Sequence, residues 1–319
     1  MTSTHHHAET RPYRALARLA AAAAFLLCAS ASGASAQQSF KTPDEAVSAL
    51  VAAAKASDRK ALLTVLVPAG EDIVSSGDEV ADEGVRKEFV AAYDEKHEIQ
   101  PTGDRAMLII GKDDFPFPIP LVRKGDAWSF DTDAGRIEVL YRRVGANELD
   151  TILAVLAYVD AQNEYADKDH GAGVGTYAQR IISQPGKKDG LYWPTAAGEE
   201  ESPLGELVAA ATAEGYRVGA GRAPFHGYYF KVLTKQGANV PGGALDYVVN
   251  GRMIGGFALV AYPAEYGNSG VMTFLVNHNG TVWEKDLGDR TAQIAEGMTA
   301  YNPDQTWRQV SEADVAVVQ

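Results

Sequence analysis

Apolar residues recur along this chain with two different periods. From Thr42, which can cap a helix that Pro43 opens and Glu45 can reach back to, residues Ala46, Val47, Leu50, Val51 and Ala54 form one stripe, and the spacing predicts a core-facing helix. A second, short helix is predicted after Asp58, with Leu62, Leu63 and Leu66 inside and its end before Pro68. A third is predicted over residues 82–96, with Val85, Phe89 and Tyr93 on one side. The period then shortens to two. Residues 106–111 are apolar and β-prone, and Lys124-Gly125-Asp126 reads as a turn into a strand carrying Trp128 and Phe130. Between them, the run from Phe115 to Leu121 alternates Phe117, Ile119 and Leu121 with Pro116, Pro118 and Pro120. Its missing amides all fall on one edge, so it predicts a protected edge strand.

The helical period returns at Asn147, which reads as the cap of a longer helix with Leu149, Ile152, Leu153, Leu156 and Val159 on its inner face. A short helix begins at Ser202-Pro203 and is stopped by Gly215. Strands are predicted over residues 228–233, 257–262, 272–277 and 281–285, and Asn279-Gly280 supplies a hairpin signal between the last two. A closing helix is predicted over 291–298, before a tail with Trp307. The order predicts an α+β fold in two units. Residues 37–145 would hold N-terminal helices plus a small antiparallel sheet, and residues 146–319 a helix packed on an antiparallel sheet.

Composition adds the compartment and removes several function classes. Arg11, Arg14 and Arg18 precede an apolar run from Leu19 to Ala29, and Ala34-Ser35-Ala36 follows, the pattern of a cleaved export signal over residues 1–36. The run is too short to span a bilayer, which takes roughly 20 residues, so no integral membrane segment is expected after cleavage. The only cysteine, Cys28, leaves with the leader, and Leu27 before it is too large for lipoprotein processing. Disulfides, thiol nucleophiles and cysteine-bound metals are thereby excluded from the exported chain. The formal charge of -13 disfavours phosphate backbones and anionic surfaces, so no nucleic-acid partner is expected. Loss of three Arg and one Glu with the leader leaves the remainder more acidic still.

Several segments carry a family resemblance: Ser76-Gly77-Asp78, residues 91–97, 115–122 and 161–166, Gly186 to Trp193, and Val249 to Ala258. Together they resemble the exported bacterial proteins called the domain of unknown function 2950 family, a likeness that covers most of the exported chain and implies no assigned activity. Within the second half, the helix ending Ala161-Gln162-Asn163-Glu164-Tyr165, then Gly227-Tyr228-Tyr229-Phe230, residues 261–267 and the Asn-Gly hairpin are similar to the globular part of type II secretion pseudopilins. That likeness implies a pilin-like helix on a sheet. The chain lacks both the prepilin-type Gly-Phe-Thr-Leu word and the long apolar helix that forms a pilus core.

The candidate chemistry is sparse. Asp167 and Asp169 lie in an oxygen-rich loop that suggests calcium, although Ala172 and Ala178 stand where an EF-hand needs Gly and a bidentate Glu. The pseudopilin likeness implies Asp286 and Asp289 as a second calcium candidate. Ser269 lacks a nucleophile-elbow pattern, and His97, His170, His226 and His278 show no metal-ligand spacing. Arg252, set among glycines and expected near Tyr228, Tyr229 and Tyr247, suggests a site for an anion or a carbohydrate. Arg252, Tyr229, Trp193 and His226 are the predicted ligand-binding set if they line one cleft. The functional expectation is an exported periplasmic or secreted envelope protein that acts by non-enzymatic binding or assembly on an envelope protein or polymer, without a cofactor beyond calcium. The alternatives are a periplasmic hydrolase of an envelope polymer and a pseudopilin-like secretion component.

Overall fold

Local sequence rules account for the first helices. The computed structural model describes residues 37–66, 70–196, 198–218 and 222–311; the leader and Pro68 lie outside them. Thr42 caps α1 (Pro43–Lys55), its hydroxyl accepting the Glu45 amide at 3.1 Å, and all five stripe residues are buried. Glu45 reaches back one residue further than expected, to the Lys41 amide. The next helices are α2 (Arg59–Leu66), a short α3 (Glu71–Val74) and α4 (Glu79–Glu95). Asp78 caps α4 by accepting the amides of Val80 and Ala81. Phe89 and Tyr93 pack on the core, whereas Val85 is 65% exposed, so the predicted inner face of α4 is narrower than its apolar spacing suggests.

These helices cover a five-stranded sheet built from β1 (His97–Thr102), β2 (Arg105–Ile110), β3 (Phe115–Pro116), β4 (Leu121–Lys124) and β5 (Ala127–Phe130). Its order is β1-β2-β4-β5, with β3 also on β2. The proline run is therefore not one continuous edge strand: only Phe115–Pro116 pairs, on one side with β2, and Leu121 opens β4, which has a partner on each side. Three residues without amides break the ladder after Pro116, and Phe117 donates the run's bond to Leu108. The alternation still works inward: Ile119 and Leu121 are buried, and Phe117 packs between Phe89 and Phe130.

The long helix starts well before Asn147. Asp131 caps α5 (Thr132–Ala166), which runs 35 residues through the residue-145 boundary. Its first turns lie on the sheet, where Gly135 allows close approach to Ile119. From Ile152 to Tyr165 it belongs to a second core. Asn147 is buried inside the helix and donates its side-chain amide to Ser269 O at 2.8 Å.

After α6 (Gly205–Glu214), closed by Gly215 at a left-handed φ of 117°, strands dominate. They are β6 (Tyr228–Leu233), β7 (Lys235–Gln236), β8 (Leu245–Asp246), β9 (Val248–Val249), β10 (Arg252–Met253), β11 (Ala258–Pro263), β12 (Met272–Asn277) and β13 (Trp283–Asp286). Next come α7 (Thr291–Gly297), β14 (Ala300–Tyr301) and β15 (Arg308–Gln309). The main sheet runs β15-β13-β12-β11-β6, all antiparallel, and the inner face of α5 packs on it. The fold is thus mixed α+β. No helix among the described residues is long and apolar enough to cross a membrane.

Candidate functional site

The loop that follows α5 is tied down at several points. Asp169 accepts the amides of Gly171 and Gly173 at 2.8 and 2.7 Å, and these bonds hold its carboxyl below the usual range. Thr176 donates to Ala172 O, and Gly175 donates to Ala166 O. Tyr177 then bonds Met253 O at 2.8 Å, which lays the loop against the β9–β10 hairpin. Asn250 and Gly251 both have positive φ, as a two-residue hairpin turn requires. Cross-strand pairing sets Val248 beside Met253 and Val249 beside Arg252. Met253 is buried and Val248 partly so, hence Val249, Arg252 and the following Ile254 face outward.

Arg252 is gripped from one side. Its Nη2 donates to Thr176 Oγ1 at 3.0 Å. A Cβ on Gly173 would sit 2.9 Å from the same nitrogen, so glycine lets the loop close around the guanidinium. Among the described residues no carboxylate pairs with Arg252, unlike Arg123, Arg136 or Arg222. Around it Val174, Val249 and Ile254 are 66%, 43% and 45% exposed. The result is a fixed cation with an aliphatic rim, able to bind a carboxylate through its remaining donors.

The other side of the same loop is core. His170 stacks on Tyr165 at 4.2 Å and lies 5.2 Å from Trp193, whose ring Lys188 caps at 5.0 Å. Trp193 is buried, so it supports the loop and does not line an open cleft. Its Nε1 and the His170 Nε2 are buried without a partner, and burial lowers the His170 pKa. Three of the segments that carry the family resemblance, 161–166, 186–193 and 249–258, meet around this loop. Asp167 caps α5 and Asp169 serves amides, and among the described residues no group of three or more His, Cys, Asp or Glu is placed to hold a metal ion.

His226 and Tyr229 lie in other surroundings. His226, at φ +46°, places Nδ1 2.8 Å from Asp150 and Nε2 2.7 Å from Glu214. Burial opposes its charge, but the hydrogen bonds and charges of the two carboxylates outweigh that and push its pKa up to about 9. With a carboxylate facing each ring nitrogen, the imidazolium clamps Asp150 of α5 to Glu214 of α6. Its amide bonds the Tyr216 hydroxyl, which donates to buried Asp78 at 2.9 Å; Asp78 also accepts the Gly227 amide at 3.0 Å. Glu214 and Tyr216 sit close together at the end of α6, but Asp78 and Asp150 come from remote segments, so no local spacing in the sequence marks this cluster. Tyr229 sits beneath Arg222, 4.3 Å from its ring centre, and beside Tyr262. The four predicted ligand residues are thus spread over separate environments, and Tyr228 and Tyr229 lie on β6 rather than on the Arg252 hairpin.

The remaining candidates are internally engaged. Ser269 is buried, with its hydroxyl bonded to the Glu265 backbone. Asp286 accepts the Tyr266 hydroxyl and the Gly288 amide. A cleft of about 450 Å³ is lined by Arg59, Glu71, Asp72, Ser75, Arg136, Glu265 and Asn268, but Arg59 pairs with Glu71 and Arg136 with Asp72 across its wall. No curated protein and no solved structure matches the chain. Residues 37–310 match the family described as protein of unknown function (DUF2950), and the chain belongs to that family.

Proposed function

We propose that this is an exported cell-envelope protein that acts by non-enzymatic binding, with the surface around Arg252 as its recognition site. One observation carries the reading: a guanidinium fixed by Thr176, without an acid partner among the described residues, in a chain of formal charge -13. Acidic chains readily neutralise their own cations, so a cation held open is available to another molecule. Two candidate groups are engaged internally, His226 by two carboxylates and the Ser269 hydroxyl by backbone. The leader pattern of residues 1–36 supports export. The test uses protein exported from its own leader. Intact mass should place the new N-terminus at Gln37, and a panel of glycosidic, ester and peptide substrates should show no turnover. Turnover abolished by Glu265→Gln in the charged cleft would overturn the binding reading in favour of a hydrolase.

A further inference from the structure

We infer that the Arg252 surface receives an extended acidic peptide in which an Asp or Glu is flanked by aliphatic side chains; this rests on the binding reading above. The charge argument comes first. A guanidinium offers five N–H donors, of which Thr176 takes one, and the remaining fork matches a carboxylate bidentately. Thr176 and the backbone at Gly173 hold the guanidinium on one side, so less rotamer entropy is lost on binding.

The rim selects the rest of the partner. Val249 is the cross-strand neighbour of Arg252, Ile254 follows two residues later on the same face, and Val174 follows Gly173 in the gripping loop. All three are exposed aliphatics. They favour valine-like or leucine-like groups on either side of the carboxylate. A sugar chain would call for an aromatic platform, whereas the exposed rim is aliphatic and Tyr177, next to Thr176, is partly buried with its ring against Phe257. An extended partner also suits the hairpin, because β9 pairs only with β10 among the described strands. The patch is small, so affinity in the micromolar to millimolar range is expected.

The test is fluorescence anisotropy on residues 37–319 with a labelled Ala-Val-Asp-Val-Ala peptide, its Asn counterpart, and polygalacturonate as an anionic polysaccharide competitor. The acidic peptide should bind, with affinity falling as salt rises. Arg252→Gln and the Asn peptide should each bind about tenfold or more weakly, the loss expected for a charge-assisted contact. Val249→Asp keeps the Thr176 bond and should weaken the acidic peptide while sparing thermal stability, which covers the case of Arg252→Gln failing to fold. Equal binding of both peptides, or unchanged binding by both variants, overturns the inference. Arg252-dependent binding of polygalacturonate in place of the peptide overturns the peptide assignment and leaves Arg252 as the recognition site. Absence of Arg252-dependent binding by either probe, together with substrate turnover, overturns both readings.

Discussion

Replacing His226 by Gln should weaken the protein more at pH 6 than at pH 10. In the folded chain the imidazolium lies between Asp150 and Glu214, and its pKa is pushed up to about 9 from the ordinary 6.5. Each pKa unit corresponds to about 1.36 kcal/mol of preference for the charged form, so the full shift would be worth about 3 kcal/mol. The carboxylates are 41% and 47% exposed, and solvent screening reduces this to about 1.5–2 kcal/mol. Because the folded pKa is raised, the stabilisation is fully present below about 6.5 and is lost as pH rises through about 9. Urea unfolding of both proteins at pH 6, 7.5, 9 and 10 would measure the gap between them. Lysines and tyrosines that titrate over the same range are common to both and largely cancel. A gap that stays constant or widens with pH would refute the reasoning. So would a His226 imidazole proton signal, assigned by its loss in the variant, that titrates near 6.5 in the folded protein.

Two further substitutions probe the scaffold. Gly135→Ala should destabilise by about 1–2 kcal/mol in urea unfolding, since its methyl would lie 2.7 Å from the Ile119 backbone and the strain outweighs the better helix propensity of alanine; a stabilised variant would refute the close contact. Arg143→Met should cost about 2–3 kcal/mol, because the half-buried guanidinium donates to Asp72 O at 2.6 Å, Ile73 O at 2.7 Å and the Asn268 side chain. An unchanged urea midpoint would show that solvent replaces those bonds.

The parts of the fold set by local rules were legible in advance. Thr42-Pro43, the α1 stripe and Gly215 at a helix end each act over a few residues, and each appears where the sequence places it; the Asn279-Gly280 signal does fall between β12 and β13, but in a wider loop where Gly280 donates to Asn277 O and Gly280 alone of the pair has positive φ. Misses arose where distant partners decide. β1 has Ile99 as its only large aliphatic residue and forms because β2 pairs with it along its length. Residues 132–146 of α5 contain Gly135, Gly145 and five charged side chains, so their apolar period is weak; packing on Ile119 and bonds from Arg143 hold them helical. The site divides in the same way. Arg252 stands out in the sequence from its flanking glycines, but the hydroxyl of Thr176 and the close backbone of Gly173 that hold its guanidinium come from far away in sequence. Trp193 belongs to the ligand-binding set expected from the sequence, and the core contacts that bury it are tertiary.

Whether the chain unfolds as one unit or two depends on the junction between its two cores. One core is built by residues 40–130 and the other by residues 152–310, while α5, about 52 Å long at 1.5 Å per residue, runs through both. The contacts between them are polar and specific. Gly227 N and the Tyr216 hydroxyl donate to Asp78, Asn268 donates to Ser75 O at 3.0 Å, and Arg143 donates to Asn268. At about 1 kcal/mol each, four such bonds couple the halves by roughly 4 kcal/mol, a large share of the 5–15 kcal/mol that holds a typical domain together. Melting one half would also strip the other part of α5 of its continuation. Differential scanning calorimetry should therefore show one transition, with a van't Hoff enthalpy close to the calorimetric one. The double variant Asp78→Asn with Asn268→Ala should split or broaden it, because it removes the bonds at the junction and leaves both apolar cores intact. Two resolved transitions in the unaltered protein would mean that each core is independently stable and that α5 is only a tether between them.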